Sequence, residues 1–336
     1  LPVTLGLDVT PTVQHDAVDT AQKAGESGNE VGDRGQHHRN ATGPSDGIGV
    51  QGSGGVPVGA DAIARGHLAA DDQDEGMTHT SSVPRWVAVF DWQTDPMTSL
   101  FDQVSFAHGP AMANRFMLAP LTNQQSHADG TLSDDEYTWL TMRAKGGFGL
   151  TMTCASHVQR IGQGFAGQLG CFSDDHIAGL TRLASGIKQH GSIAIVQLHH
   201  AGHRSPAQLI GEAPVCPSDD PAMGARALTH AEVEDTIEAF IAAAVRCEKA
   251  GFDGVELHGA HDYLICEFLS PSLNQRTDEF GGSLENRARL LMRIVEGIRA
   301  RCGAGFNLSV RLSAERFGLV TSEVREVYSW LVATGA

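Results

Sequence analysis

The sequence predicts an α/β fold built on a parallel sheet, and three observations carry that reading. From Phe116 onward, short apolar runs alternate with amphipathic helical stretches. The runs are near-continuous rather than alternating, as suits strands buried on both faces. The stretches between them carry cap signals of helices. Strand–helix–strand–helix order argues for parallel pairing.

The elements follow in order. Phe116–Leu121 is the first apolar run, and residues 149–153 form the second. Residues 192–198, 253–258 and 307–312 are the third, fourth and fifth. Ser133 with Glu136 reads as a capping box, as does Thr229 with Glu232. After Thr229, Val233, Ile237, Phe240, Ile241 and Ala244 fall on one helical face. Lys249-Ala250-Gly251 ends that helix with a cation and a C-cap glycine. After Ser283, Leu284, Ala288, Leu291, Val295 and Ile298 form a second stripe.

Residues 1–96 are of another kind. They hold 14 acidic residues against five Lys plus Arg, and one phenylalanine, Phe90. A segment so poor in apolar surface has little to offset its ordering entropy. It is expected to be disordered, or an extension not native to the domain that Met97 opens. The net charge of −16 argues against a nucleic-acid partner. No apolar run reaches the roughly 18 residues that a membrane span needs, and the N-terminus lacks a secretory pattern. The six cysteines are scattered without CxxC spacing. Reduced thiols of a cytoplasmic protein are therefore expected rather than a zinc site or disulfides.

Polar residues collect where the strands end. The first strand ends at Pro120-Leu121-Thr122, the second runs into Cys154-Ala155-Ser156, and the third ends in Gln197-Leu198-His199-His200. The fourth ends in His258, followed by His261 and Tyr263, and the fifth near Arg311. In a β/α barrel the carboxyl ends of the strands share one mouth, where chemistry happens. There is no GxSxG elbow, HExxH or GxxxxGK[ST]. Gly162-Gln163-Gly164-Phe165-Ala166-Gly167 matches GxGxxG formally but does not open a helix. Gly281-Gly282-Ser283 reads as a turn and N-cap. His199 and His200 read as packing or mouth-lining residues.

Residues 114–122 (NRFMLAPLT), 197–202 (QLHHAG) and the run from Gly251 to Arg289 resemble the motifs of the Old Yellow Enzyme family of flavin oxidoreductases. The resemblance covers about residues 97–336. It implies a TIM (β/α)8-type barrel holding FMN, here C-terminally incomplete with about five βα units. Through it, Pro120, Leu121 and Thr122 are expected to contact the flavin ring, and Ala155 to offer a backbone group beside it. Gln197 is expected to bond the pyrimidine end. Arg311 is expected near the N1–O2 side, where a fixed cation favours the reduced anion. His258 and His261 correspond to the pair that grips a substrate carbonyl. Tyr263 corresponds to the phenol that protonates the α-carbon.

The implied activity moves hydride from NADH or NADPH through FMN to an activated alkene. The substrate is a small molecule, with neither nucleic acid nor membrane as partner. Three positions depart from the family. Cys154 replaces an acid, His199 a tryptophan or other large residue, and Asp262 a glycine. The strand count further implies a chain that binds FMN weakly and turns over poorly. Its alternative identities are an inactive flavodomain remnant or a piece of a larger dienoyl-CoA reductase-like enzyme.

Overall fold

A computed structural model of the chain describes residues 99–336. The expectations for residues 1–96, and the start of the domain at Met97, lie outside the described residues. In chain order the elements are β1 (Met117–Leu118), α1 (Asp134–Lys145), β2 (Leu150–His157), α2 (Ile177–Lys188), β3 (Ile193–His199), α3 (Ala207–Ile210) and β4 (Val215–Cys216). Then follow β5 (Arg226–Ala227), α4 (His230–Lys249), β6 (Gly254–Gly259), α5 (Leu264–Leu269), α6 (Leu284–Arg301), β7 (Asn307–Leu312) and α7 (Thr321–Ala333).

One five-stranded sheet runs in the order β1-β2-β3-β6-β7, every neighbouring pair parallel. Spatial order thus follows chain order. That is the winding of a β/α barrel, whereas a doubly wound sheet reverses at a switch point. β4 and β5 form a separate parallel pair in the β3–α4 connection. Strands of two residues carry no readable periodicity, so the sequence reading passed over them.

Side-chain alternation sorts the sheet into two faces. Ala194, Val196 and Leu198 of β3, Val255 and Leu257 of β6 and Leu308 of β7 join the main core beneath the helices. Leu150, Met152, Ile193 and Ile195 turn to the other face, where Val104, Phe106 and Met112 pack on them. Val104 and Met112 pair antiparallel, so a short hairpin seals this end of the inner face. The Asn307 side chain donates to the His108 carbonyl at 3.2 Å, tying the hairpin to β7.

Two strands differ from expectation for local reasons. The first run shrinks to Met117–Leu118, since Pro120 offers no N–H to continue the ladder. The second lengthens to His157 because a bulge between Met152 and Ala155 lets pairing resume. Three steps on β2 there match two on β3, Ile195 to Gln197. The extra residue sends Cys154 into the helix-side core and places Ala155 opposite Gln197.

The helices follow their caps. Thr229 and Glu232 exchange both capping bonds. The expected stripe of Val233, Ile237, Phe240, Ile241 and Ala244 is buried, each large member contributing roughly 1.5–3 kcal/mol. α4 packs on α6, and at Gly297 any side chain would collide with Ile241. Ser283 caps α6, and Asn286 and Arg287 brace the preceding loop by donating to the Gly281 and Leu269 carbonyls. Ser133 is a correction. Its hydroxyl accepts from Glu136 N at 3.1 Å, but the Glu136 carboxylate does not return the bond. It is buried, and accepts instead from Ser126, from Asn123 at 3.1 Å and from the Cys154 thiol at 3.2 Å.

Candidate active site at the strand mouth

Beyond the apolar layer the inner face turns polar. Ala155, Gln197, Glu256 and Ser309 stand level across β2, β3, β6 and β7. Two residues further along each strand, the same alternation brings up His157, His199, His258 and Arg311; His157 pairs with His199, and His258 with Arg311. The Gln197 amide donates to Glu256 Oε1 at 2.7 Å. Burial pushes the Glu256 carboxyl above its usual range, against the pull of that bond and of Arg311.

An imidazole–phenol cluster sits over these rows. The Tyr263 ring meets His199 edge-on at 4.3 Å between centroids and His258 at 4.9 Å. His258 and His261 rings lie 5.0 Å apart, with Nε2 and Nδ1 at 3.3 Å. Burial holds His258 well below the ordinary imidazole range, helped by the nearby His261 and Arg311. Burial, then His258, do the same to His199. Both rings are therefore neutral at pH 7, each with one N–H to donate and one nitrogen to accept.

The proton on His199 can be placed. Gly164 N–H donates to Gln168 Oε1 at 2.7 Å, which fixes the amide's orientation. Gln168 Nε2 then donates to the Ala155 carbonyl at 2.8 Å and faces His199 Nδ1 at 3.0 Å. Nδ1 is thus the acceptor, and Nε2 carries the hydrogen. That nitrogen is buried without a hydrogen-bond partner among the described residues. A buried donor left unpaired costs about 1–3 kcal/mol, and here it lies beside the His258 and Tyr263 rings.

Of the two readings of His199, packing or mouth-lining, its contacts with the Tyr263 and His258 rings favour the second. The available signal was period 2, which puts His199 on the same face as Gln197. The GxGxxG look-alike is a short 3-10 turn at Arg160–Gly162 with no helix after it. Asp262 turns its carboxylate to His203 at 3.1 Å.

The structure brings His199, His258, His261 and Tyr263 together, over the rows that hold Ala155, Gln197 and Arg311. Pro120, Leu121 and Thr122 follow β1 at the edge of the sheet. They leave the edge strand β1, two strand spacings or roughly 10 Å from β3, with Leu121 52% exposed.

The donor set fits FMN. A flavin ring presents a polar rim that needs amide and N–H partners, of the kind that Gln197 and the backbone at Ala155 could offer. Its N1–O2 side takes on negative charge, which Arg311 can meet. The orphaned His199 N–H lies over the same rows.

Comparison with known proteins gives the arrangement its context. The sequence pattern of the NADH:flavin oxidoreductase / NADH oxidase family matches residues 99–335. The probable NADH-dependent flavin oxidoreductase YqiG of Bacillus subtilis is 38% identical over 244 residues, 70% of this chain and 65% of that protein. An NADPH dehydrogenase of Halalkalibacterium halodurans is 40% identical over 233 residues, 68% of each chain. The structure of an Old Yellow Enzyme homologue from Zymomonas mobilis superposes with a TM-score of 0.63 at 31% identity, covering 70% of both chains. The chain spans about two thirds of the length of these two relatives. It belongs to the NADH:flavin oxidoreductase / NADH oxidase family, the family of Old Yellow Enzyme, whose cofactor is FMN.

Proposed function

We propose that this chain belongs to an NAD(P)H-dependent FMN oxidoreductase that reduces an activated alkene of the enone type or a related acceptor. The observation that supports it most is the cluster of two neutral imidazoles, His199 and His258, against the Tyr263 phenol on the polar end of the inner face. FMN, when bound, supplies hydride taken from NADH or NADPH. Gln197, Ala155 and Arg311, with Pro120, Leu121 and Thr122 beyond the edge strand, would hold its ring. His258 and His261 donate to the acceptor's carbonyl oxygen and stabilise the negative charge that builds there. Tyr263 delivers the proton to the α-carbon through its hydroxyl.

The substrate is a small molecule. No helix among the described residues is long and apolar enough to cross a membrane. The free thiols at Cys154, Cys171, Cys216, Cys247, Cys266 and Cys302 support the cytoplasm as the compartment.

Stopped-flow spectroscopy of Tyr263→Phe tests the assignment. Flavin reduction by NAD(P)H should proceed as in the wild type, while reoxidation by an enone slows by roughly 100-fold or more. Equal slowing of both half-reactions, or of neither, would remove Tyr263 from the proton-donor role.

A further inference from the structure

The turn that presents His261 and Tyr263 is built at an unusual cost. His261 and Asp262 are consecutive non-glycine residues in the left-handed region, with φ of +61° and +64°. Such residues persist there only when their surroundings over-determine them. Three contacts do so. Arg204 donates to the His261 carbonyl at 3.0 Å, His261 N–H donates to Ser313 Oγ at 3.1 Å, and the Asp262 carboxylate faces His203 Nε2 at 3.1 Å.

The third contact belongs to a larger group. His203 Nδ1 faces Asp220 Oδ2 at 3.0 Å, so both ring nitrogens point at carboxylate oxygens. An imidazole can satisfy two ionised acceptors only with a proton on each nitrogen. Asp220 is anchored by its backbone pairing with Ala225. Glu267 lies 3.8 Å from His203 Nε2 and accepts from the His203 backbone at 2.9 Å. Gly202 has φ +62° and approaches so closely that a side chain there would overlap the Glu267 carboxyl.

We propose that Asp262, His203 and Asp220 form an ionic clamp that positions the turn bearing His261 and Tyr263, and that the clamp releases as His203 loses its proton. The Asp262 carboxylate is tied down by the His203 ring. The residues act through the turn, so they are positioning residues. Their effect on turnover rests on the proton-donor reading of Tyr263, but the clamp can be measured without turnover.

The titration has a definite sign. Burial disfavours the His203 cation, but Asp262 and then Asp220 outweigh it and hold its pKa above the ordinary 6.5. Protonation therefore completes the clamp below that pKa, and the clamp is lost as pH rises through it. The other charged or titratable groups facing the cluster are Arg204, Glu267, Cys216 and Cys266. Burial pushes Glu267 well above its usual range and pushes both thiols to about 12.

NMR of the full chain tests the clamp directly. The chain has three tyrosines, so Tyr137 and Tyr328 serve as internal controls for the Tyr263 ring signals. His203 should titrate above 6.5, and the Tyr263 signals should shift with the same midpoint while the control signals do not. In Asp262→Asn, which keeps the shape and removes the charge, the His203 midpoint should fall and the Tyr263 shift at that midpoint should vanish. His203→Arg, which keeps a cation at every pH, should hold the Tyr263 signals constant across the range and abolish any alkaline loss of kcat. A His203 midpoint at or below 6.5, or Tyr263 signals that ignore it, would overturn the proposal.

Discussion

Along β3, Ile193 and Ile195 precede Gln197 and His199 on the same face of the same strand, yet the two pairs live in different surroundings. The isoleucines are covered by Val104, Phe106 and Met112 in a wholly apolar layer. Gln197 and His199 are as deeply buried, at 1% and 0% exposure, but among amides, imidazoles and a phenol. Burial alone thus does not separate core from site. The chemistry of the two layers does: the lower is lined by hydrocarbon side chains, while the upper gathers amides, imidazoles and a phenol. The lower end is built for stability and the upper for ligands.

The comparison can be broken first at the apolar end. Ile195→Ala should cost about 2–5 kcal/mol of stability by leaving a cavity under the hairpin, read as a lower urea midpoint. The chemistry of the folded fraction should be unchanged, and a matching loss of intrinsic activity would show that the ends are not separable.

The polar end should be the one that fails in acid. Burial depresses His157 to about 4 and His200 to about 3. Each folded pKa lies below the unfolded value, so each ring contributes stability in full above pH 6.5 that is lost as pH falls toward the folded pKa. For the buried His157 the loss by pH 4 is on the order of 3 kcal/mol. His157→Asn keeps a donor for the Leu169 carbonyl that the ring meets at 3.0 Å, and should flatten the acid slope of urea midpoints. An unchanged slope would place the acid-sensitive groups elsewhere.

The smallest effect sharpens the contrast most. His199→Leu removes the unpaired donor but also the Nδ1 that accepts from Gln168, two opposing changes of about 1–3 kcal/mol each, so stability should move less than for Ile195→Ala. An unfolding midpoint that drops as far as for Ile195→Ala would mean that His199 is core after all.

Much of this was legible in the sequence. The run at residues 307–312 and the strand order from chain order appear as read, because buried parallel strands leave continuous apolar runs. The α4 and α6 stripes are legible for the same reason at period 3.6. What was hidden depends on single residues and long-range partners. A one-residue bulge decides whether Cys154 or Ala155 faces inward, and no local pattern announces it. Ser133 and Glu136 have capping-box spacing, but Asn123, Ser126 and Cys154 compete for the carboxylate from 10 to 18 residues away. His203 and Asp262 are 59 positions apart, and only the fold makes them neighbours.

Fluorescence titration of FMN with the full chain and with Arg311→Met asks most directly whether the polar end of the inner face is a flavin site. Loss of a charge-assisted contact to the ring should weaken binding by roughly 10-fold or more, whatever the affinity of the parent chain. Equal affinities for the two proteins, or quenching by neither, would contradict the placement of FMN on this face.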